Sequence, residues 1–142
     1  MMRMIVPCCV GIVLAGLLAG CAGSRSTLSA EQTRPYPTEL ARQETAPIQV
    51  IRRTTHIELT NTTAQNFGPS TVWLNGRFSN AIEGFEVGQT LLLDLREFHD
   101  QWGDRFRAGG FFATRDPDAL VLVEIESQGV LTGLVMVGNV YE

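Results

Sequence analysis

Short apolar segments separated by turn residues constrain the fold of this chain more than any other feature. Apolar and polar side chains alternate in Ile51–Asn61, which is the pattern of a half-buried β-strand. Thr71–Leu74 is a second apolar segment, and Asn75-Gly76 follows it as a dipeptide that tolerates the positive φ angles of a tight hairpin turn. We therefore expect Arg77–Ser79 to be the returning strand of a hairpin.

The same signals continue towards the C terminus. Thr90–Leu93 is short and apolar, and Ala119–Ser127 and Val130–Tyr141 flank the turn dipeptide Gln128-Gly129. The acidic residues of Asp94–Glu97 have the spacing of a helix start, which predicts a helix of one to two turns. The sequence thus predicts an all-β fold, an antiparallel β-sandwich of six to seven strands with one short helix.

The segment from His56 to Phe98 resembles the immunoglobulin-like β-sandwich domains of bacterial cell-envelope proteins. The resemblance depends on a strand ending in Asn61-Thr62-Thr63, on Val72-Trp73-Leu74-Asn75, and on the turn Val87-Gly88-Gln89-Thr90. The Cys…Trp…Cys pattern of antibody domains is absent from the sequence. The resemblance implies a fold and no particular activity.

The N terminus has the parts of a secretory signal peptide. Arg3 supplies a positive charge, Ile5–Leu18 is apolar, and small residues follow. The tetrapeptide Leu18-Ala19-Gly20-Cys21 resembles the lipobox of bacterial lipoproteins. This resemblance implies that signal peptidase recognises Leu18, Ala19 and Gly20, and that Cys21 carries a diacylglycerol and becomes the new N terminus.

The alternative is an uncleaved transmembrane helix, because Met4–Ser24 approaches the roughly 20 residues that span a bilayer. Pro7, Gly11, Gly16 and Gly20 inside this segment weaken a helix and favour the cleaved form. In either case the rest of the chain is held at a membrane outside the cytoplasm. Ala22 follows the cysteine where an aspartate would imply inner-membrane retention, so we expect the outer membrane, facing the periplasm.

Residues 21–47 have the composition of a linker. They are rich in Ser, Thr, Gln, Pro and alternating charge, and they offer few large apolar side chains to a core. We therefore expect a lipoprotein signal peptide at 1–20, a lipidated cysteine with a flexible linker at 21–47, and a single β-sandwich domain at 48–142.

Composition limits the chemistry open to this domain. The cysteines are Cys8, Cys9 and Cys21, and there is no lysine, so the mature chain has no thiolate for catalysis or metal binding and no Schiff-base lysine. From Ile48 onwards seven arginines face twelve acidic residues, a net charge of −5. This balance argues against a nucleic-acid partner, which requires a basic surface.

Two pairs of a histidine and a carboxylate are the candidates for metal binding or catalysis. His56 and Glu58 share one face of a predicted strand, and His99-Asp100 lies on the predicted helix, but neither pair has the spacing of a known metal site. No Gly-x-Ser-x-Gly elbow is present. We predict no metal, no cofactor and surface positions for both histidines; a small envelope hydrolase or metal-dependent enzyme is the alternative function.

Trp73, Arg77 and Phe78 form the candidate binding surface. Trp73 alternates with Val72 and Leu74, so it faces outwards if those two residues face the core. An outward Trp73 beside Arg77 and Phe78 is typical of a platform for a sugar or a protein. The alternative is that Trp73 points into the core or is covered by the linker or the short helix.

A second group of aromatic and basic residues occupies positions 102–115. We expect four aromatic side chains to close one end of the core: Trp102, Phe106, Phe111 and Phe112. Arg105, Arg107 and Arg115 lie among them and either clamp acids and carbonyls of loops or meet an anionic envelope polymer; we favour the clamp.

These observations predict a binding module rather than an enzyme. We expect a lipid-anchored binding or scaffolding domain of the bacterial cell envelope, with another envelope protein or a polysaccharide as its partner. An anchor and a linker would confine such a domain near its partner and raise its effective concentration.

Overall fold

The computed structural model describes residues 28–140, and these residues form a β-protein. In chain order the strands are β1 (Ala41–Arg52), β2 (His56–Asn61), β3 (Ser70–Leu74), β4 (Phe78–Ile82), β5 (Thr90–Asp94), β6 (Val123–Ser127) and β7 (Val130–Asn139). Within the described residues the helical content is a single 3-10 turn, Leu95–Glu97. The prediction of an all-β fold with six to seven strands and one short helix is confirmed.

The strands form one sheet in the order β4-β3-β6-β7-β1-β2-β5. Every neighbouring pair is antiparallel except β1 and β7, which run parallel. The sheet is therefore mixed, whereas the sequence predicted antiparallel pairing throughout. The reason is that β1 and β7 come from opposite ends of the domain, so no tight hairpin forces them to run in opposite directions.

The sheet is curled, so that its two ends bury side chains in one shared core. Strands β3 and β6 contribute Val72, Leu74, Val123 and Ile125 to the same apolar cluster that contains residues of β1 and β2. The β1 and β2 members of this cluster are Ile48, Val50, Ile57 and Leu59. Burial of these alternating residues is the main force that holds the curled sheet together.

Both predicted hairpin turns are confirmed. Asn75 and Gly76 have φ angles of 54° and 62°, and Gln128 and Gly129 have φ angles of 51° and 77°. Two successive residues with positive φ give the turn the twist that a two-residue hairpin needs. These turns fix the registers of β3 with β4 and of β6 with β7.

The predicted helix after Asp94 is shorter than expected. Asp94 caps it by accepting a hydrogen bond from the Arg96 amide (2.9 Å), but the helix ends at Glu97. The reason is that His99 is extended and exchanges backbone hydrogen bonds with Ser79 of β4, at 2.9 and 3.2 Å. Pairing with the sheet edge therefore replaces the second helical turn.

The ordered part of the domain begins before Ile48. Strand β1 starts at Ala41, so residues 41–47 are strand where the sequence predicted linker. Residues 28–40, which we call the strap, also lie against the sheet: Leu28 approaches Gly103, and Tyr36 approaches Gly76. The prediction of a flexible linker up to residue 47 is therefore wrong for residues 41–47, because they pair with β7.

The predicted signal peptide at 1–20 and Cys21 lie outside the described residues. Within 28–140, the structure has no helix with the length and apolar character needed to cross a bilayer.

Candidate functional site

Trp73 does not form an exposed platform. Its side chain lies on the face of β3 opposite Val72 and Leu74, as the alternation predicted, but it is fully buried. The strap covers it: Tyr36 packs edge to face at a centroid distance of 5.3 Å, and the Arg34 guanidinium lies 5.3 Å from the indole centroid. The predicted exposed binding surface at Trp73 is therefore wrong, and the alternative of a covered tryptophan applies.

Two glutamates of β6 hold the strap in place. Glu126 accepts a hydrogen bond from the Trp73 indole nitrogen (2.8 Å) and forms an ion pair with Arg34. Glu124 accepts a hydrogen bond from the Tyr36 hydroxyl (2.6 Å) and forms an ion pair with Arg42 (2.7 Å). Because Glu124 and Glu126 alternate with the core residues of β6, both carboxylates reach the same outer face.

The environment of the Tyr36 hydroxyl favours its protonated form. Burial disfavours the phenolate, and the hydrogen bond to the neighbouring Glu124 carboxylate disfavours it further. Together these effects raise the pKa of Tyr36 from 10.0 to about 12, although Arg42 acts in the opposite direction.

Phe78 and Arg77 have separate roles at the end of the β3–β4 hairpin. Phe78 is buried and packs edge to face on Phe106 at 5.3 Å, so it belongs to the core and not to a binding surface. Arg77 is half exposed, and its guanidinium lies 4.9 Å from the Phe78 ring and 5.8 Å from the Trp102 ring. Of the three predicted binding residues, Arg77 alone has an accessible side chain.

Arg77 lines an open cleft that contains four arginines. We call it the arginine cleft; its volume is about 500 Å³. Its lining residues are Asn75, Arg77, Phe78, Asp104, Arg105, Arg107, Arg115, Asp118 and Ala119. The sequence indicated Arg105, Arg107 and Arg115 as a group, but their convergence with Arg77 follows from the pairing of Ser79 with His99, which brings the 98–106 segment to the sheet edge.

Arg77 is held by a buried carboxylate beneath the cleft. Its Nε and Nη2 donate hydrogen bonds to Oδ2 of Asp100 at 3.0 and 2.6 Å. Oδ1 of the same carboxylate accepts hydrogen bonds from the amides of Trp102 (3.0 Å) and Asp104 (2.9 Å). Burial alone would raise the pKa of Asp100, but these donors outweigh it and hold the pKa below its usual 3.8.

Arg107 is clamped in a similar way by Asp118. The Arg107 amide donates to Oδ2 of Asp118 (2.9 Å), and its Nε donates to Oδ1 (2.8 Å). Burial opposes ionisation of Asp118, yet these hydrogen bonds lower its pKa below 3.8. For Arg107 the predicted clamping role therefore agrees with the structure.

Arg105 and Arg115 are different. In residues 28–140 neither side chain has a carboxylate within ion-pair distance, and both residues are exposed. Behind the cleft, the buried Arg52 donates to the carbonyls of Asp118 and Ala108 (3.2 Å to Ala108) and has no acidic partner there. Three guanidinium charges at this end of the domain thus lack a direct counter-ion among the described residues.

The four aromatic residues predicted to seal the core divide into two classes. Phe106 is buried, as expected. Trp102, Phe111 and Phe112 are exposed at 72%, 95% and 90%, so their predicted core positions are wrong. Phe111 and Phe112 lie at the tip of a loop closed by Arg107 and Asp118, which leaves them no contact with the core cluster.

The two histidines do not share a site. His56 is near Asp94 (4.0 Å between Nε2 and Oδ2), and Glu58 pairs with Arg53 (2.9 Å) instead of with His56. His99 is only 5% exposed, contrary to the predicted surface position, because its extended backbone pairs with β4. Among the described residues no group of three potential metal ligands is brought together.

His99 and Ser79 form a second, buried polar cluster. They face each other as a cross-strand pair, and neither the His99 ring nitrogens nor the Ser79 hydroxyl has a hydrogen-bond partner in the described structure. The sequence could not reveal this pair because its members are 20 residues apart and join through an isolated bridge.

Comparison with known protein families, with curated proteins and with solved structures found no match to this chain.

Proposed function

We propose that this protein is a lipid-anchored, non-enzymatic binding module of the bacterial cell envelope that binds an anionic group in the arginine cleft. The observation that carries the proposal is the pair of exposed arginines, Arg105 and Arg115, which have no acidic partner among residues 28–140 and share a cleft with Arg77 and Arg107.

The electrostatics of the cleft support an anionic ligand. Four lining arginines face two lining acids, Asp104 and Asp118, although the domain from Ile48 onwards carries a net charge of −5. Guanidinium groups bind carboxylates and phosphates through paired hydrogen bonds, and Arg105 and Arg115 have donors left for this purpose. A local positive cleft on an acidic surface also steers an anion to one place.

The composition of the cleft favours binding over catalysis. Its lining contains no histidine, serine or cysteine, and its buried neighbour Asp100 is fully engaged by four donors. The lining of the cleft therefore does not contain a nucleophile next to a general base. The role that this chemistry supports is recognition, with Arg77 and Arg107 positioned by Asp100 and Asp118.

The anchor proposed at Cys21 would place this cleft near the periplasmic face of the outer membrane. The partner would be another envelope protein or a polysaccharide that presents carboxylate or phosphate groups, or a component of the membrane itself. Confinement by the anchor would raise the effective concentration of the partner near the cleft, so that even a weak interaction would be populated.

A binding titration with Trp102 as reporter tests the cleft. Trp102 is exposed and stacks on Arg77, so an anion in the cleft should change its emission, while the buried Trp73 supplies a constant background. With polyphosphate as the probe we expect a saturable change that weakens with salt. Arg105→Gln and Arg115→Gln should each weaken the apparent affinity roughly fivefold or more.

Arg53→Gln is the matched control, because it removes one arginine charge that pairs with Glu58 away from the cleft. Equal losses in Arg53→Gln and Arg115→Gln, or no saturable signal with the wild-type chain, would reject the cleft as the binding site.

A small hydrolase is the second candidate function, and the unpartnered Ser79–His99 pair is the observation that favours it. Both side chains are buried, and Gln32 of the strap lines the surface depression that His99 borders. A substrate in that depression would therefore meet little of either side chain, which makes binding at the open arginine cleft the better supported function.

A further inference from the structure

Two adjacent phenyl rings project into solvent at the tip of one loop. The Phe loop, which we define as residues 107–118, carries Phe111 and Phe112, whose rings contact each other edge to face at 5.0 Å and are almost fully exposed. Apolar surface of this size gains free energy when a second apolar surface covers it.

The base of the Phe loop is fixed to the domain. The Arg107 carbonyl accepts a hydrogen bond from the Asp118 amide (2.9 Å), and the side chain of Asp118 binds Arg107 in return. Arg52 holds two backbone carbonyls of the loop from below, those of Ala108 and Asp118. The loop therefore presents its tip from a constrained base.

Two glycines set the direction in which the tip projects. Gly109 and Gly110 have φ angles of 90° and 115°, which favour glycine. A Cβ atom at these positions would lie 3.1 Å from Pro117 and 3.2 Å from Thr55. The backbone thus approaches its neighbours closely just before Phe111, and this close approach turns the rings away from the core.

The Phe loop also forms one wall of the arginine cleft, since Arg107, Arg115 and Asp118 line that cleft. The unpaired Arg115 follows Phe112 by three residues, so an apolar tip and an unneutralised guanidinium lie in the same short loop. A ligand that satisfies both has an apolar part and an anionic part. Lipids with a phosphate headgroup combine these two chemistries at one surface.

If Cys21 carries the proposed anchor, the path of the chain brings the membrane near this side of the domain. Leu28 lies 3.4 Å from the position of a Cβ on Gly103, next to the exposed Trp102 at the rim of the cleft. Cys21 precedes Leu28 by seven residues, which can span at most about 25 Å. The proposed anchor point thus lies within that distance of Leu28, which contacts Gly103 directly after Trp102 in the chain. Tryptophan is a residue type enriched at membrane interfaces.

From these observations we infer that the Phe loop docks on the anchoring membrane, with Phe111 and Phe112 in the interface and Arg105 and Arg115 on the phosphate of an anionic lipid. This inference rests on the proposed function, because it identifies the anion of the arginine cleft as a lipid headgroup.

Depth-dependent quenching tests the inference on the full chain in vesicles. In a chain with Cys8→Ser and Cys9→Ser, Phe112→Cys carries an environment-sensitive thiol label, and the vesicles contain phosphatidylglycerol and lipids brominated on their acyl chains. We expect a blue-shifted emission and quenching several-fold stronger than in vesicles that contain the same brominated lipids but phosphatidylcholine in place of phosphatidylglycerol. Arg115→Gln should reduce this quenching, and Arg53→Gln should leave it unchanged.

Val87→Cys is the matched control position. Val87 is half exposed, and it lies near Asn61 at the end of β2 opposite to Thr55, against which the Phe loop packs. A label there should remain unquenched. The parent chain without an introduced cysteine measures any labelling of Cys21.

The outcomes separate the two proposals. Membrane docking would be overturned by equal quenching of the labels at positions 87 and 112, by quenching that does not depend on phosphatidylglycerol, or by no quenching at position 112. If no quenching occurs while polyphosphate still gives the Trp102 signal, the anion site stands and its ligand is not a lipid. If both signals are absent, the proposed function fails as well.

Discussion

Asp100 is a buried carboxylate whose ionisation depends on its donors. Burial opposes the charge, but Arg77 and the amides of Trp102 and Asp104 stabilise it and lower its pKa below 3.8. A carboxyl group with a depressed folded-state pKa contributes stability above its unfolded pKa and loses it as the pH falls through the folded value. The protein should therefore lose stability below pH 3.8, with Asp118 acting in the same direction.

Asp100→Asn removes this charge while keeping the size of the side chain. We expect the free energy of unfolding at neutral pH to fall by about 1–3 kcal/mol, because Arg77 and the amides of Trp102 and Asp104 lose a charged acceptor. The loss of stability below pH 3.8 should also become shallower, since one titrating group is gone. Urea unfolding at a series of pH values measures both effects. Asp104→Asn, at an exposed carboxylate 3.9 Å from Arg77, is the control and should change little; an unaltered Asp100→Asn would contradict the prediction.

Trp73 shows how far single residues could be predicted from the sequence. The alternation of β3 correctly placed Trp73 on the face opposite Val72 and Leu74. Its burial could not be predicted from the sequence, because the side chains of the strap that cover it are polar. Polar side chains stabilise such a cover only when they have hydrogen-bond or ion-pair partners. Arg34 and Tyr36 cover the indole only because Glu124 and Glu126 fix them from the other side.

The strap is the element whose attachment should depend most on alkaline pH. The pKa of Tyr36 is raised from 10.0 to about 12, so its contribution to stability is complete below pH 10 and is lost as the pH rises towards 12. Release of the strap would expose Trp73, so we expect its emission to shift to the red across this interval. Tyr36→Phe should abolish the pH dependence and leave Trp73 partly uncovered at neutral pH. A wild-type emission spectrum constant up to pH 12 would show that Tyr36 does not control the strap.

Among the elements, those defined by local signals were predicted and those defined by distant pairing were not. The hairpin turns at Asn75-Gly76 and Gln128-Gly129 were correct because the positive φ angles are a property of the turn residues themselves. The first half of β1 was missed because residues 41–47 form a strand only through irregular parallel pairing with β7. The helix after Asp94 was overestimated for a related reason, the competing bridge between His99 and Ser79.

At the scale of the whole molecule, the distribution of charge was the hardest feature to predict. Composition showed an acidic domain, and the sequence placed Arg105, Arg107 and Arg115 in one region. Asp118 neutralises Arg107 and leaves the other two unpaired within residues 28–140, a distinction that depends on a loop closure over eleven residues. The strap and the first half of β1 likewise remove residues 28–47 from the linker that the sequence predicted at 21–47.

The anchor proposed at Cys21 would give this arrangement its orientation, and Cys21→Ser tests that proposal. The thiol is the proposed point of diacylglycerol attachment, and the proposed cleavage before Cys21 would follow that modification. We expect the variant to lose incorporation of a fatty-acid probe and to accumulate at the mass of the uncleaved precursor. The double variant Cys8→Ser, Cys9→Ser keeps Cys21 and should label and mature normally, which separates the role of this cysteine from a general effect of removing thiols. If Cys21→Ser labels and matures like the wild type, the proposed anchor is wrong, and the distance limit between Cys21 and Leu28 no longer supports a membrane near the arginine cleft.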